Sequence, residues 1–132
     1  MTTVLLCVLA AALMPVACAG IAKGGRFSVP RREGGYDNHL PRDWLARQGG
    51  YRARANAAQA NCFEAMPFFI GALAIALPLG APAARVEPLA LAWVLLRAVY
   101  VGCYVADKPT ARSLVWTLAF AVNVAILFAA SY

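Results

Sequence analysis

Charge is scarce in this sequence and histidine nearly absent. Charged residues make up 14% of the 132 positions, only six residues are acidic, and His39 is the single histidine. One histidine excludes a metal site built from histidine clusters, and no metal is expected. His39 falls in a loop rich in turn residues and is read as a loop residue rather than a catalytic base. The four cysteines, Cys7, Cys18, Cys62 and Cys103, have no CxxC spacing. Embedded thiols of this kind are expected to act as small apolar packing residues. No Walker loop, GxGxxG fingerprint, HExxH or GxSxG occurs, and no internal repeat, so the chemistries those motifs anchor have no foothold. Short alternating segments are missing too, which excludes a membrane β-barrel.

What fills the chain instead is apolar sequence, 62% of it, well above the roughly half expected of soluble domains. Four runs stand out, at about residues 3–22, 55–79, 86–105 and 111–131, each near the roughly 20 residues a helix needs to cross a bilayer. The expected fold class is an all-α integral membrane protein, a bundle of four transmembrane helices. The first run carries Val16-Ala17-Cys18, faintly like a cleavage site, but no Lys or Arg precedes it and its basic flank, Lys23 and Arg26, follows. A signal peptide has that order reversed, so the run is expected to be a retained helix, with a slight bend at Pro15.

The net charge of +6 would suggest nucleic acid in a soluble chain. Here the cations lie in loops beside apolar runs, so no nucleic-acid partner is expected. Eight of them (Lys23, Arg26, Arg31, Arg32, Arg42, Arg47, Arg52 and Arg54) fall between the first two runs, and Lys108 and Arg112 between the last two. Arg85 is alone on the opposite side. This asymmetry puts the loop of about 23–54 in the cytoplasm and both termini in the periplasm or a lumen. Within that loop, 38–45 is expected to start a short interfacial helix, with Pro41 in its first turn and Trp44 at headgroup depth.

Polar residues occur where spans should avoid them. Asn61 and Glu64 are three residues apart and share a helical face with Ala57 and Phe68, and Arg54 lies two turns earlier on that stripe. A carboxylate at mid-bilayer costs about 2.5–3.5 kcal/mol, so either a partner charge or a polar ligand must offset it. The face is therefore either a hydrogen-bonded knot between helices or a polar site opening to the cytoplasm. In the third run Arg97, Tyr100 and Tyr104 form a second stripe. Arg97 must snorkel or find a carboxylate, and Glu64 is the acid available inside a span. The tyrosines are either an aromatic belt or donors into a cavity. Arg112 falls in the first turn of the last helix.

The run from Gln59 to Phe69, with Asn61-x-x-Glu64-x-x-Pro67, resembles the signature of the membrane-associated proteins in eicosanoid and glutathione metabolism, the MAPEG family. The Tyr100/Tyr104 pair and the Arg112-Ser113 helix opening are similar to that family's later motifs, and the likeness covers nearly the whole chain. It implies one membrane domain over 1–132, a homotrimer, and glutathione held between neighbouring subunits near the cytoplasmic face. Arg112 would then hold glutathione as a thiolate. Asn61, with Gln59 in the same run, would hydrogen-bond the peptide, and Glu64 would pair with its amino group or with Arg97. Tyr100 and Tyr104 would offer hydroxyls, and Lys23 and Arg26 would receive carboxylates. Ala57 stands where enzymes of the family carry an arginine, with Arg54 one turn away as a stand-in. Ala65 stands where several members carry tyrosine.

Two function classes follow. One is a glutathione-dependent transferase or peroxidase acting on hydrophobic electrophiles dissolved in the bilayer, in a bacterial inner membrane. The alternative is a non-catalytic membrane protein of the same fold that binds a lipid or a partner. A transporter is less well supported, since one carboxylate in a compact bundle makes a thin ion path.

Overall fold

The computed structural model describes residues 1–131; Tyr132, the last position of the single-domain reading, lies outside them. Five α-helices follow one another: α1 (Thr2–Lys23), α2 (Pro41–Ala46), α3 (Gly50–Ala76), α4 (Ala83–Val105) and α5 (Pro109–Leu127), with one 3-10 turn at Arg31–Glu33. All but α2 are long and apolar enough to cross a membrane, and no strand occurs among the described residues. The four-span all-α architecture expected from the apolar runs is present.

Helix boundaries differ from the runs in an instructive way. The second spanning helix, α3, begins at Gly50, five residues before its apolar run. Arg52 and Arg54 are helical but polar, so hydropathy marks where the membrane begins and not where hydrogen bonding does. The third spanning helix, α4, starts at Ala83, behind Pro82, and the fourth, α5, runs 109–127 rather than 111–131. Pro109 occupies the first helical position of α5, where its missing N–H costs nothing.

α1 packs on α3 and α4, and α5 packs on α4 and α3, so α1 and α5 flank a central pair. Alanines make close approach possible. Ala11, Ala72, Ala76 and Ala90 are all buried, around a Phe69–Trp93 stack with ring centroids 3.9 Å apart. Less than a third of each span's most apolar stretch is buried within the protomer, which leaves Leu5, Leu9, Leu13, Leu114 and Leu118 facing outward. Lipid tails or neighbouring protomers must cover those faces.

The two ends of the bundle are tied differently. At one end the N-terminal ammonium and Thr3 Oγ1 both donate to Glu87, and Arg85 Nη1 donates to the Ala129 carbonyl at 2.6 Å. At the other, Arg52 Nη1 donates to the carbonyls of Ala22 and Gly24, each at 2.8 Å. Both termini thus share one end, and the basic loops share the opposite one. Single cysteines replacing Arg32 or Arg42 should therefore react with an impermeant maleimide from one face of the membrane, and cysteines replacing Thr2 or Ser131 from the other. Labelling of all four from one face would remove a span.

The long loop folds on itself. Tyr36 sits edge-on to both Phe27 and Trp44, at 5.2 Å each, and Lys23 Nζ lies 4.6 Å from the Tyr36 ring centre. The short helix expected near Pro41 is α2, but Trp44 is buried in this aromatic cluster, with Nε1 3.4 Å from the Gly34 carbonyl. Gly35 is obligatory in that turn, because a Cβ there would lie 1.8 Å from the Val29 carbonyl oxygen.

Candidate functional site

α3 and α4 meet through their polar stripes. Arg97, only 1% exposed, donates from Nη2 to the side-chain oxygen of Asn61 at 2.9 Å and to the Asn61 carbonyl at 3.2 Å. Cys62 Sγ lies 3.8 Å from the same nitrogen. The Asn61 amide nitrogen donates in turn to Glu64 Oε2 at 3.2 Å. The expectation that Arg97 snorkels or pairs with Glu64 is therefore corrected. Among the described residues no carboxylate lies within 4 Å of Arg97; the amide of Asn61, one turn before Glu64, bridges the two charges. Nε and Nη1 of Arg97 have no protein acceptor among the described residues.

The stripe continues toward the basic end as alternating cations and rings. The Arg97 guanidinium sits 4.3 Å from the Tyr100 ring centre, Tyr100 lies edge-on to Tyr104 at 5.6 Å, and the Arg112 guanidinium sits 4.3 Å from the Tyr104 ring centre. Each ring offers its electron-rich face to a guanidinium, an attraction worth about 0.5–2 kcal/mol. Neither tyrosine hydroxyl is engaged by another described group, so both stay available as donors. The rings face two arginines, Arg97 buried and Arg112 half-buried. Arg112, like Arg97, has no carboxylate within 4 Å among the described residues.

A cleft of about 190 Å³ opens between α3, α4 and α5, with Asn61, Glu64 and Arg97 on its polar wall. Its apolar wall includes Trp93, Trp116 and Phe120, the last two stacked with centroids 5.6 Å apart. Ala65 also lines it, so the small residue at this position leaves open a space that a larger side chain would fill. At the far end Asn123, 3% exposed, has a side-chain oxygen with no hydrogen-bond partner. Sequence reasoning passed over Asn123, although an amide inside a span is itself a signal.

Other candidates are placed elsewhere in the protomer. Arg54 donates from Nε to the Val105 carbonyl at 3.0 Å and pairs with Asp107 at 3.6 Å. It thus caps the C-terminal end of α4 and does not reach the Ala57–Asn61 face. Lys23 is taken up by the Tyr36 ring, and the Arg26 carbonyl accepts from the Tyr36 N–H at 2.9 Å. Gln59 is half-buried on α3 and does not line the cleft. Among the described residues no cluster of potential metal ligands occurs.

Four spans, two converging polar stripes and a cleft between three helices define a multi-pass membrane protein with a polar site inside its bundle. The chain belongs to the MAPEG family, whose sequence pattern matches residues 3–132, and with it to the membrane proteins of glutathione and eicosanoid metabolism. No curated protein and no solved structure matches it.

Proposed function

We propose that the protein binds glutathione along the Glu64–Asn61–Arg97–Tyr100–Tyr104–Arg112 ladder and joins it, through its thiol sulfur, to hydrophobic electrophiles that enter from the bilayer. The observation that carries this reading is the buried Arg97 guanidinium, held by neutral groups and with Nε and Nη1 unpartnered beside the cleft. A buried cation of this kind calls for an anion. Glutathione has the matching charges: two carboxylates and a developing thiolate for Arg97 and Arg112, and one ammonium for Glu64. In the transfer the sulfur forms a bond to the electrophilic carbon. The thiol proton passes to cytoplasmic water, and the carbon's leaving group departs with the bonding pair. A hydroperoxide would instead be reduced by two glutathione molecules to the alcohol, water and glutathione disulfide.

In this reading the basic end faces the cytoplasm of a bacterium, the termini face the periplasm, and the ladder is completed by a neighbouring protomer in a homotrimer. Native mass spectrometry in mild detergent should return a trimeric mass; a monomer across several detergents would count against that assembly. Isotopically labelled glutathione should bind the solubilised protein saturably, and the Arg97→Met variant should lose that binding. A protein that ignores glutathione, yet is destabilised by the same substitution, would leave the polar ladder as a structural knot in a non-catalytic member of the fold. The departures at Ala57 and Ala65 favour that second reading.

A further inference from the structure

We propose that Cys18 and Cys62 form a redox-active dithiol. Cys62, beside Arg97, is the sulfur that reduces a hydroperoxide, and Cys18 is the one that closes the disulfide. The pair works through the protein's own thiols, apart from the glutathione chemistry proposed above, and shares only Arg97 with it.

The two residues come from different helices, Cys18 from α1 and Cys62 from α3. They meet in a small buried cluster with Ala58, each thiol within hydrogen-bonding reach of the other. Ala58 is wholly buried and too small to hold the two helices apart. Cys18 is 0% exposed and Cys62 4%, so a reagent meets Cys62 first. Arg97 Nη2 lies 3.8 Å from Cys62 Sγ and is held there by its bonds to Asn61. A buried thiol in apolar surroundings is normally inert. A neighbouring guanidinium makes one reactive, because it stabilises the charge on an attacking sulfur. Arg97 also lines the cleft, so it stands between the space that a small bilayer-soluble molecule can enter and the sulfur. Cys7 is the internal contrast. It is also 4% exposed, but it packs in the apolar cluster of Val4 and Ala11, which contains neither an arginine nor a second thiol.

The Cys62 sulfur takes the terminal oxygen of the hydroperoxide. An S–O bond forms, the O–O bond breaks, and the departing alkoxide collects the thiol proton and leaves as an alcohol. Cys18 then attacks the sulfenic acid on Cys62. An S–S bond forms, the S–O bond breaks, and hydroxide leaves with the Cys18 proton as water. The two thiols have lost two electrons and the hydroperoxide has gained them. Two molecules of a small thiol reopen the pair by exchange and become its disulfide.

The test uses the intact protein in detergent, reduced, freed of reductant and treated with tert-butyl hydroperoxide. Remaining thiols are alkylated in denaturant, then read by intact mass and peptide mapping. The wild-type protein should lose two alkylation sites, yield a Cys18–Cys62 cross-linked peptide, and regain both sites after dithiothreitol. The pair should be consumed at least about tenfold faster than Cys7. Cys18→Ala should stop at a sulfenic acid on Cys62, captured by dimedone, and Cys62→Ala should leave Cys18 reduced.

Four free thiols after hydroperoxide overturn the proposal, as does loss of Cys7 as fast as the pair. Wild-type Cys62 carried to the sulfinic acid without a disulfide removes the role of Cys18. Oxidation of Cys18 in Cys62→Ala overturns the order of attack. If a variant does not fold, the wild-type cross-link and the comparison with Cys7 still decide. Glutathione binding is measured separately. A disulfide that forms in a protein that ignores glutathione removes the proposed transfer chemistry and leaves the dithiol standing; glutathione binding with four free thiols does the reverse.

Discussion

Asn61→Leu should destabilise the protein by about 2–3 kcal/mol, the value of a hydrogen bond to a buried charged group. The reason is the position of Asn61 between two charges. Its side-chain oxygen is the nearest acceptor of the Arg97 guanidinium at 2.9 Å, and its amide nitrogen is the donor that Glu64 receives. Leucine fills the volume but leaves a cation in the bundle with the Asn61 main-chain oxygen as its remaining oxygen acceptor. Arg97→Met should be costly for the mirror reason, since it strands the Asn61 oxygen. The double variant should recover most of the loss on the Arg97 side, because two apolar side chains of similar bulk replace the pair with ordinary packing, and it should fall short of the wild type because Glu64 loses its Asn61 donor. Thermal unfolding of the four proteins in one detergent gives the coupling directly. Purely additive losses would mean that the two side chains do not depend on each other. Glutathione binding separates stability from function: the double variant should bind none.

The same contacts separate what helical spacing dictates from what packing decides. Helical spacing puts Asn61 with Glu64, and Arg97 with Tyr100 and Tyr104, because residues three and four apart share a face whatever the fold. The four spans were legible from length and hydropathy, and the common end of the basic loops from charge placement. Spacing says nothing about how one helix is rotated and slid against another. That relation decides whether Arg97 meets Glu64 or the residue one turn earlier, and it decides for Asn61. Arg54 shows the same limit of spacing. Its stripe position points toward the Asn61 face, but a long flexible side chain near a helix start can equally reach the end of a neighbouring helix, and the Val105 carbonyl and Asp107 receive it. Asn123 needed three helices at once, since it becomes informative only when its oxygen is seen to lack a partner.

Arg112→Leu should slow thiol transfer about fifteenfold at pH 7 and hardly at all at pH 9.5, given a free thiol pKa near 8.5 and a depression of about 1.5 units by the guanidinium. The sign follows from charge. A cation beside the sulfur favours the thiolate over the thiol, so a thiol bound beside Arg112 would ionise at lower pH than a free one. Removing the cation returns the pKa to its ordinary value. Near neutrality the variant then holds mostly thiol, and above about pH 9 both proteins hold thiolate. The geometry suits this role better for Arg112 than for Arg97. Arg112 is half-buried at the start of α5 and held by the face of Tyr104, a contact that leaves its in-plane N–H donors free for an anion. Arg97 already spends one nitrogen on Asn61, deeper in the bundle. A pH–rate profile with glutathione and a bilayer-soluble electrophile reads the difference. The expected profile for Arg112→Leu is a displaced curve that rejoins the wild type at high pH. A loss of the same size at every pH would mean that Arg112 positions glutathione and leaves its ionisation alone. The expected values also fix a control. Tyr104→Phe keeps the ring that carries Arg112, so its profile should keep the wild-type inflection; Tyr104→Leu removes the ring and should shift the inflection toward that of Arg112→Leu.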